Sequence, residues 1–358
     1  VYDDDGGSNS GSVFVYSISG STMTQTGSTI TGDGAGDQSG MSLGINSDGD
    51  IVAIGSNLAD SPSRNWASTG HIRAFEYSSS SWSQLGSAIE GDLYFDQFAS
   101  VAINSDGTRV AGSSWKHDDE WGHVKVFDYD TSTNSWSQLG SDLDGDEQQN
   151  LGMSVAINSN GNRVASGAPY YDTDYTNSEA GTVKVWDWDG SQWSQVGSDI
   201  DGDVADDLFG YSVALSANGS RLAIGAPKHD TNGSVKVFEY SDGSWTQLGS
   251  DIDGTGSSSA SVGSDFGWKV DLNATGSRLA VGAPNDASGT TRSGSVSLYD
   301  WNGSAWVLAG SRIDGENLLD KFGWSLSLNS SGNRVAVGAV SEDTTATNAG
   351  KVYVYDWA

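Results

Sequence analysis

Two short acidic segments have the residue types and the spacing of a metal-binding loop. Each places three carboxylates at alternate positions, with a glycine before the third. Such carboxylates can gather the oxygen ligands that Ca²⁺ prefers, and the glycine lets the chain turn. The predicted calcium ligands are Asp142, Asp144, Asp146, Asp199, Asp201 and Asp203. The alternative interpretation is a solvated loop, in which exposed carboxylates flank a core leucine or isoleucine. No other cofactor is indicated, and none is required.

Residues with the chemistry of a catalyst are sparse. The sequence has four histidines and no cysteine, which excludes thiolate nucleophiles and thiolate metal sites. The triplets Lys116-His-Asp118 and Lys228-His-Asp230 occupy the same loop in two copies of a repeat, so inherited loop sequence explains them better than an acid–base pair or a metal site. Many aspartates could be paired as glycosidase acids, but the sequence selects no pair. We therefore predict no catalytic residue and a protein that is not an enzyme.

Aromatic side chains in predicted loops are candidates for stacking on sugar rings. They fall outside the repeated tryptophan position described below, so packing explains them less well. The candidate glycan-binding residues are Trp115, Trp121, Tyr170 and Tyr171, with Trp66 in a similar loop. Five Asn-x-Ser/Thr triplets are candidate glycosylation sites, which supports secretion weakly because such triplets arise by chance in a Ser-rich chain. Their asparagines are Asn218, Asn232, Asn273, Asn302 and Asn329.

Composition narrows the class of protein. The 358 residues include 47 Asp and Glu against 17 Lys and Arg, a formal net charge of −30. A nucleic-acid-binding protein needs a basic surface to displace counterions, so that class is excluded. No run approaches the roughly 18 apolar residues of a membrane-spanning helix. The sequence opens at Val1 without a leader, so we expect a segment processed or excised from a longer chain.

One unit recurs along the whole sequence at intervals of about 56 residues. Its clearest copy, residues 208–252, contains four short alternating runs, named here strands a, b, c and d. Asn-Gly and Asp-Gly turns join a to b. Four antiparallel strands per unit predict an all-β fold, a β-propeller with one blade per unit. We expect a single propeller domain over 1–358, with six copies of strand a and a partial N-terminal blade.

A tryptophan opens strand d in five copies, at a fixed position of the repeat. This regularity favours packing against the neighbouring blade over ligand stacking. The residues are Trp82, Trp136, Trp193, Trp245 and Trp306.

The start of strand a and the end of strand b carry a family resemblance. Phe209-Gly210 with Gly225-Ala226-Pro227 resembles the FG-GAP repeat, as does Phe266-Gly267 with Gly282-Ala283-Pro284. Other copies match in part, and the earliest ones drift, as in Phe98-Ala99 with Gly112-Ser113-Ser114. The resemblance implies the seven-bladed propeller of integrin α-subunit heads and related surface proteins. Counting inner strands gives six blades, with the N-terminal strand d near Thr24 to Ile30 completing the last.

The resemblance also implies calcium sites in a–b turns, but this sequence departs from that pattern. In the turn at 102–110, Asn104 and Asp106 match, whereas Ala102 and Val110 replace the first and last ligands. Two or three oxygens do not reach the six to eight that calcium takes. We therefore expect no calcium in that turn.

Acidic residues concentrate in the b–c and d–a loops, at one end of the blades, while the a–b end carries an arginine in five copies. We expect an electrically two-faced disc. The preferred hypothesis is a non-enzymatic extracellular module for adhesion or structural assembly, which binds protein or glycan partners and can self-assemble through its acidic face with divalent cations. The alternatives are a lectin-like propeller, a virion or phage appendage, and a hydrolase with a carboxylate pair in a cleft.

Overall fold

The computed structural model describes residues 3–4, 6–61, 67–146, 149–172, 179–255, 263–287, 292–342 and 349–357. The fold is all-β, with six antiparallel blades in a propeller arrangement. This confirms the predicted fold class and the count of six from the inner strands, whereas the seven blades implied by the resemblance are not observed in the described residues. Within the same residues, no helix is long and apolar enough to cross a membrane.

The strands of each blade follow the predicted order a, b, c and d. Blade one consists of Ser39–Ile45, Ile51–Ser56, His71–Ser78 and Ser81–Glu90. Blade two consists of Ser100–Ile103, Arg109–Ser114, His123–Asp130 and Ser135–Gln138, and blade three of Ser154–Ile157, Arg163–Ala168, Thr182–Trp188 and Trp193–Gln195.

The second half of the chain repeats this order. Blade four consists of Ser212–Leu215, Arg221–Ala226, Ser234–Ser241 and Ser244–Gln247. Blade five consists of Lys269–Leu272, Arg278–Ala283, Ser295–Trp301 and Trp306–Leu308, and blade six has three strands, Phe322–Leu328, Arg334–Ala339 and Lys351–Asp356. Blades two to five each add a two-residue strand after d: Leu143–Asp144, Ile200–Asp201, Ile252–Asp253 and Ile313–Asp314. Two helical turns, His117–Glu120 and His229–Thr231, lie in b–c loops.

The N-terminal strands correct one expectation. Strands Ser12–Val13 and Tyr16–Ser19 pair with Ile30–Thr31 and Thr22–Gln25, respectively, so the first c and d strands form their own hairpin. The predicted strand d, which was expected to complete the last blade, pairs with the strand c that precedes it. The reason is local, because closing a hairpin over a short turn costs less chain entropy than pairing with a distant strand.

The chain divides into two compact units. One comprises residues 1–162 and 188–193, and the other comprises 163–187 and 194–358. In the first unit, one apolar layer lies between the hairpin and blade one and another between blades one and two, where Phe98 and Ile72 are fully buried. In the second unit, equivalent layers lie between blades four and five and between blades five and six. Each layer needs two blades, which is why single repeats do not fold alone.

The repeated tryptophans join successive blades, as their packing role predicts. The indole N–H of Trp136 donates to the carbonyl of Leu85 at 2.9 Å, and that of Trp245 donates to Val196 at 3.1 Å. Trp82, Trp193 and Trp306 make the same bond to the preceding repeat. A buried indole N–H normally has such a partner, so the fixed position of the residue in the repeat follows from this bond and from ring packing.

The repeated arginines are neutralised, which corrects the expectation of a positively charged a–b end. Arg278 binds both carboxylate oxygens of Asp300 on strand c of its own blade, and it donates to the carbonyl of Gly332 in the next a–b turn. Arg109 likewise binds Asp128 and the carbonyl of Gly161. The same acid partner is present for Arg163, Arg221 and Arg334. These side chains link neighbouring turns and leave no row of unpaired positive charge.

Candidate functional site

Two loops of blade two lie next to each other and differ from the corresponding loops of the other blades. The first is the d–a loop, residues 91–99, and the second is the b–c loop, residues 115–122. We call these two segments the blade-two loop surface. The b–c loop contains a tight turn in which Asp118, Asp119 and Glu120 all have positive φ, at 50°, 56° and 73°. Acidic residues in such a turn point away from the blade, and all three are exposed.

Asp96 anchors the d–a loop from inside. Its carboxylate is almost fully buried and accepts hydrogen bonds from the backbone N–H groups of Asp92 and Leu93, at 2.8 and 3.0 Å. A buried carboxylate with such partners holds the loop in one conformation. Its side chain also faces His117 of the b–c loop, whose Nδ1 lies 3.0 Å from Oδ1 and 3.2 Å from Oδ2. Asp96 therefore ties the two loops together.

The two histidines of blade two have opposite pKa shifts. Burial lowers the pKa of His117, but the hydrogen bond and the negative charge of Asp96 outweigh it, so the pKa is raised above its usual value. His123, the first residue of strand c, has its pKa lowered to about 4 by burial and then by the charge of His117. The rings stack with centroids 3.8 Å apart. The pKa values of two stacked imidazoles are thus shifted in opposite directions.

A cavity of about 310 Å³ opens on the blade-two loop surface. Leu93, Tyr94 and Phe95 lie on one side, and Asp96, Lys116, Asp118, Asp119 and Glu120 complete the lining. Tyr94 is 58 % exposed and Phe95 48 %, and their rings meet edge to face with centroids 4.2 Å apart. Leu318 and Leu319, in the equivalent loop before blade six, are also exposed, but in the loop before blade two the exposed pair is aromatic.

The predicted glycan-binding residues separate into two groups. Trp115 and Trp121 belong to the blade-two loop surface, where Trp121 is 39 % exposed and Trp115 is partly covered by Lys116, whose Nζ lies 4.7 Å from its ring centroid. Tyr170 and Tyr171 lie in the b–c loop of blade three and are half-buried. Burial raises the pKa of the Tyr170 hydroxyl. Trp66 lies outside the described residues.

The predicted calcium ligands lie beside lysines of strand c. Lys125 Nζ is 3.4 Å from Asp142 and also contacts Asp92, while Lys184 Nζ is 3.6 Å from Asp199. Burial, and then the charge of Asp142, raise the pKa of Asp144. The other predicted ligands, Asp146, Asp201 and Asp203, are exposed. A calcium ion would have to compete with these ion pairs, and calcium binding stays a prediction.

The candidate glycosylation asparagines are not equally accessible. Asn273 is buried, and its side-chain oxygen accepts from the backbone N–H groups of Ser277 and Arg278 in the a–b turn. In the folded protein this side chain shapes the turn, and glycosylation at Asn273 stays a prediction. Asn218, Asn302 and Asn329 are exposed, and Asn232 is half-buried.

Blade four shows which features the repeat supplies. Its d–a aspartate, Asp207, accepts from His229 Nδ1 at 2.6 Å, just as Asp96 does from His117. This pair explains the two Lys-His-Asp triplets as inherited loop structure. Strand c of blade four opens with Ser234, where blade two has His123. The second histidine, the exposed aromatic pair and the cavity together distinguish blade two.

Comparison with known proteins supports the repeat assignment. The family model of the FG-GAP repeat matches residues 314–355, which comprise the end of blade five and most of blade six. This segment is similar to the FG-GAP repeat. The resemblance drawn from the Phe-Gly and Gly-Ala-Pro motifs is thereby confirmed. No curated protein matches the sequence.

Solved propellers are similar to this chain in fold. A candidate 6-phosphogluconolactonase from Bacteroides uniformis shares 13 % identity at a TM-score of 0.58, with 96 % of each chain covered. A similar protein from Bacteroides fragilis shares 13 % identity at a TM-score of 0.55, covering 86 % of this chain and 79 % of its own. Hydrazine synthase of Kuenenia stuttgartiensis shares 12 % identity at 0.55, covering 88 % and 75 %. Identities this low show the fold alone.

Sequence reasoning missed four residues of the site. Leu93, Tyr94 and Phe95 belong to the d–a loop, which was interpreted through its acidic residues alone. The signal was present, because three consecutive large apolar residues in a polar loop have no packing explanation in the repeat. His123 was missed for another reason. It stands at the first position of strand c, where blade one also has a histidine, His71, and blades three to five have small polar residues. Only the structure shows that its ring stacks on that of His117.

Proposed function

We propose that this protein is a non-enzymatic extracellular binding module, used in adhesion or structural assembly, and that the blade-two loop surface is where its partner binds. The observation that carries the proposal is the cavity lined by Tyr94 and Phe95, whose rings are about half exposed. FG-GAP repeats are typical of extracellular proteins, which supports the location outside the cell.

A protein segment that presents lysine or arginine fits this surface best. Asp118, Asp119 and Glu120 line the same cavity as the aromatic pair, so a basic side chain bound there would be near both carboxylates and aromatic rings. Lys116 over Trp115 shows the same ammonium–aromatic contact within the loop itself. The net charge of −30 would also attract a basic partner over distance.

Carbohydrate binding is the second candidate. Trp121 is 39 % exposed beside a row of carboxylates, and an aromatic face next to hydrogen-bond acceptors suits a sugar ring and its hydroxyls. Both candidates place the ligand on the same loops.

The proposal assigns no catalytic role. Asp96 and His117 are held together as in the inherited pair of blade four, so their geometry has a structural explanation. The enzymes among the similar folds share 12–13 % identity and transfer no active-site residue. Assembly of copies through their acidic loops and divalent cations stays a prediction.

The test is binding on two arrays, one of basic and control peptides and one of glycans. We expect the protein to bind one class, with the signal falling at least about tenfold in Tyr94→Ala and Trp121→Ala. Tyr16→Ala is the matched control, because Tyr16 is an aromatic residue of similar exposure on the N-terminal hairpin. A ligand that is lost in Tyr16→Ala and retained by both loop variants would contradict the proposal.

A further inference from the structure

His123 is the most unusual buried polar group in blade two. The side chain is 0 % exposed, and neither ring nitrogen has a hydrogen-bond partner among the described residues. The nearest carboxylate oxygen recorded, Asp142 Oδ2, is 3.8 Å from Nδ1, too far for a hydrogen bond. Leaving such a group unsatisfied costs about 1–3 kcal/mol. A cost of this kind in a native protein calls for a ligand or for another explanation.

Three potential ligands converge at this point. Asp96, His117 and His123 each offer one ligand atom, and all three atoms lie within 4.8 Å of one another. Two of the residues are buried and the third is half-buried. Asp96 is oriented by two backbone N–H groups, so its carboxylate is already fixed before any ion binds.

We propose that Asp96, His117 and His123 form a binding site for a divalent transition-metal ion of the zinc class. Two imidazoles and one carboxylate are a ligand set that zinc takes in proteins, with a fourth position left for water or for a ligand. Calcium does not suit the site, because it takes six to eight oxygen ligands. This assignment differs from the predicted calcium triads and does not rest on the proposed function.

Binding requires a small rearrangement that the loop can make. The two imidazole planes are inclined by only 19°, so their nitrogens enter the site side by side. One ring must turn for both to face the same ion. His117 lies in the surface loop, whereas His123 is fixed in strand c, so His117 is the one that turns. The ion would replace the present hydrogen bond between His117 and Asp96.

A second cluster of potential metal ligands lies next to this site, but a lysine already neutralises its carboxylates. Asp92, His123 and Asp142 also bring their ligand atoms within 4.8 Å of one another. Lys125 contacts both of those carboxylates, so a cation there would meet a competing ammonium group. Asp96, His117 and His123 therefore form the better metal site of the two.

Blade four supplies an internal control. It has the equivalent aspartate–histidine pair, Asp207 and His229, but Ser234 stands in place of His123. Ser234 donates to the carbonyl of Ile252 at 3.4 Å, so this position is satisfied without a metal ion. The repeat therefore provides the aspartate–histidine pair in both blades, and blade two adds a second histidine. In blade four, His229 also brings its ligand atom within 4.8 Å of those of Asp251 and Asp253, but that set has one imidazole and two exposed carboxylates.

The experiment is a titration of the full chain with Zn²⁺ after removal of bound metal by a chelator. Calorimetry gives the affinity and stoichiometry, and thermal unfolding gives the stabilisation. We expect one tightly bound ion per chain, a rise in Tm, and no competition from an equal concentration of Ca²⁺. His123→Ser, which reproduces blade four, should weaken binding by about 10–100-fold or more.

Two further variants make the result specific. His117→Asn changes a loop residue without removing core volume, and we expect it to abolish the tight site and the rise in Tm. His229→Ser removes the equivalent histidine of blade four and should leave both unchanged. Failure of the wild-type chain to bind Zn²⁺ more tightly than Ca²⁺ would overturn the proposal. So would equal affinity in His117→Asn and wild type.

Discussion

At the scale of single residues, buried histidines make the stability of the folded protein depend on pH. His71 opens strand c of blade one, as His123 does in blade two, and its pKa is lowered to about 4 by burial and then by Arg73. The unfolded chain takes up a proton near pH 6.5, and the folded chain does so only near pH 4. Stability therefore falls as pH falls through this window, by up to about 3 kcal/mol for this residue.

This effect predicts a reduced pH dependence in His71→Ser, which introduces the residue found at this position in blade four. Urea unfolding at pH 7 and pH 4.5 should show a smaller loss of stability in the variant than in wild type. In His229→Ser the difference should have the opposite sign. Asp207 raises the pKa of His229 against the effect of burial, so that pair stabilises the folded state below pH 6.5 and the stabilisation is lost as pH rises. An unchanged slope in His71→Ser would refute the assignment.

The repeated tryptophans predict a defined loss of stability. In Trp245→Phe the carbonyl of Val196 loses its indole donor, and unfolding should become easier by about 1–2 kcal/mol. Trp121→Phe is the matched control, because that residue is exposed on a loop and should change stability by less than about 0.5 kcal/mol. Chemical denaturation measures both. Equal losses would show that indole bonds do not join the blades.

At the scale of strands and turns, glycines define how closely blades approach. A Cβ on Gly225 of strand b would lie 2.0 Å from the carbonyl oxygen of Gly267, which begins the next blade. A Cβ on Gly243, in a c–d turn, meets nothing within 4 Å, although φ there is +85°. Substitution of Gly225 therefore tests steric contact between blades, whereas substitution of Gly243 tests backbone strain alone.

We therefore predict that Gly225→Ala destabilises the protein by about 3 kcal/mol or more, because the blades must move apart. Gly243→Ala should cost only about 1 kcal/mol, from its left-handed backbone. The comparison is made by denaturant unfolding of both variants. A larger loss in Gly243→Ala would mean that the Gly-Ala-Pro motif is not set by packing between blades.

The structure also explains where the repeat motif was misaligned. Strand pairing places Ser113 opposite Val124, just as Gly225 lies opposite Val235. The Gly-Ala-Pro position of blade two therefore begins at Ser113, one residue beyond the predicted Gly112. Gly210 has φ of 93°, whereas Ala99 is not among the residues with positive φ, so this blade enters strand a differently. Composition and turn signals predicted the strands. A local change in the length of the segment before strand a shifts the alignment of the motif, and only the observed strand pairing shows this shift.

At the scale of the whole molecule, the charge is less polarised than the sequence predicts. Arginines at the a–b turns are paired with strand c acids, and several d–a acids are buried: Asp37, Asp96, Asp207, Asp265 and Asp320. Alternation and turn chemistry were enough to predict the blades. The state of each charge could not be predicted, because it depends on partners more than 15 residues away, as with Arg278 and Asp300.

The remaining excess of acid predicts that salt stabilises the protein. Self-repulsion from a net charge of −30 extends over about 30 Å at 0.01 M salt and about 8 Å at 0.15 M. Tm should therefore rise with NaCl. CaCl₂ at equal ionic strength tests the predicted calcium triads, since specific binding adds a further rise that EDTA removes. A Tm that falls with NaCl would contradict the view that uncompensated acid dominates.

If the partner binds to the loops of blade two, it must protect their backbone from solvent. We would compare hydrogen exchange of the free protein with that of its complex with the strongest array ligand. We expect slower exchange in residues 91–99 and 115–122 on binding, with the a–b turns unaffected. Slower exchange confined to the a–b turns, or to the loops of other blades, would contradict it.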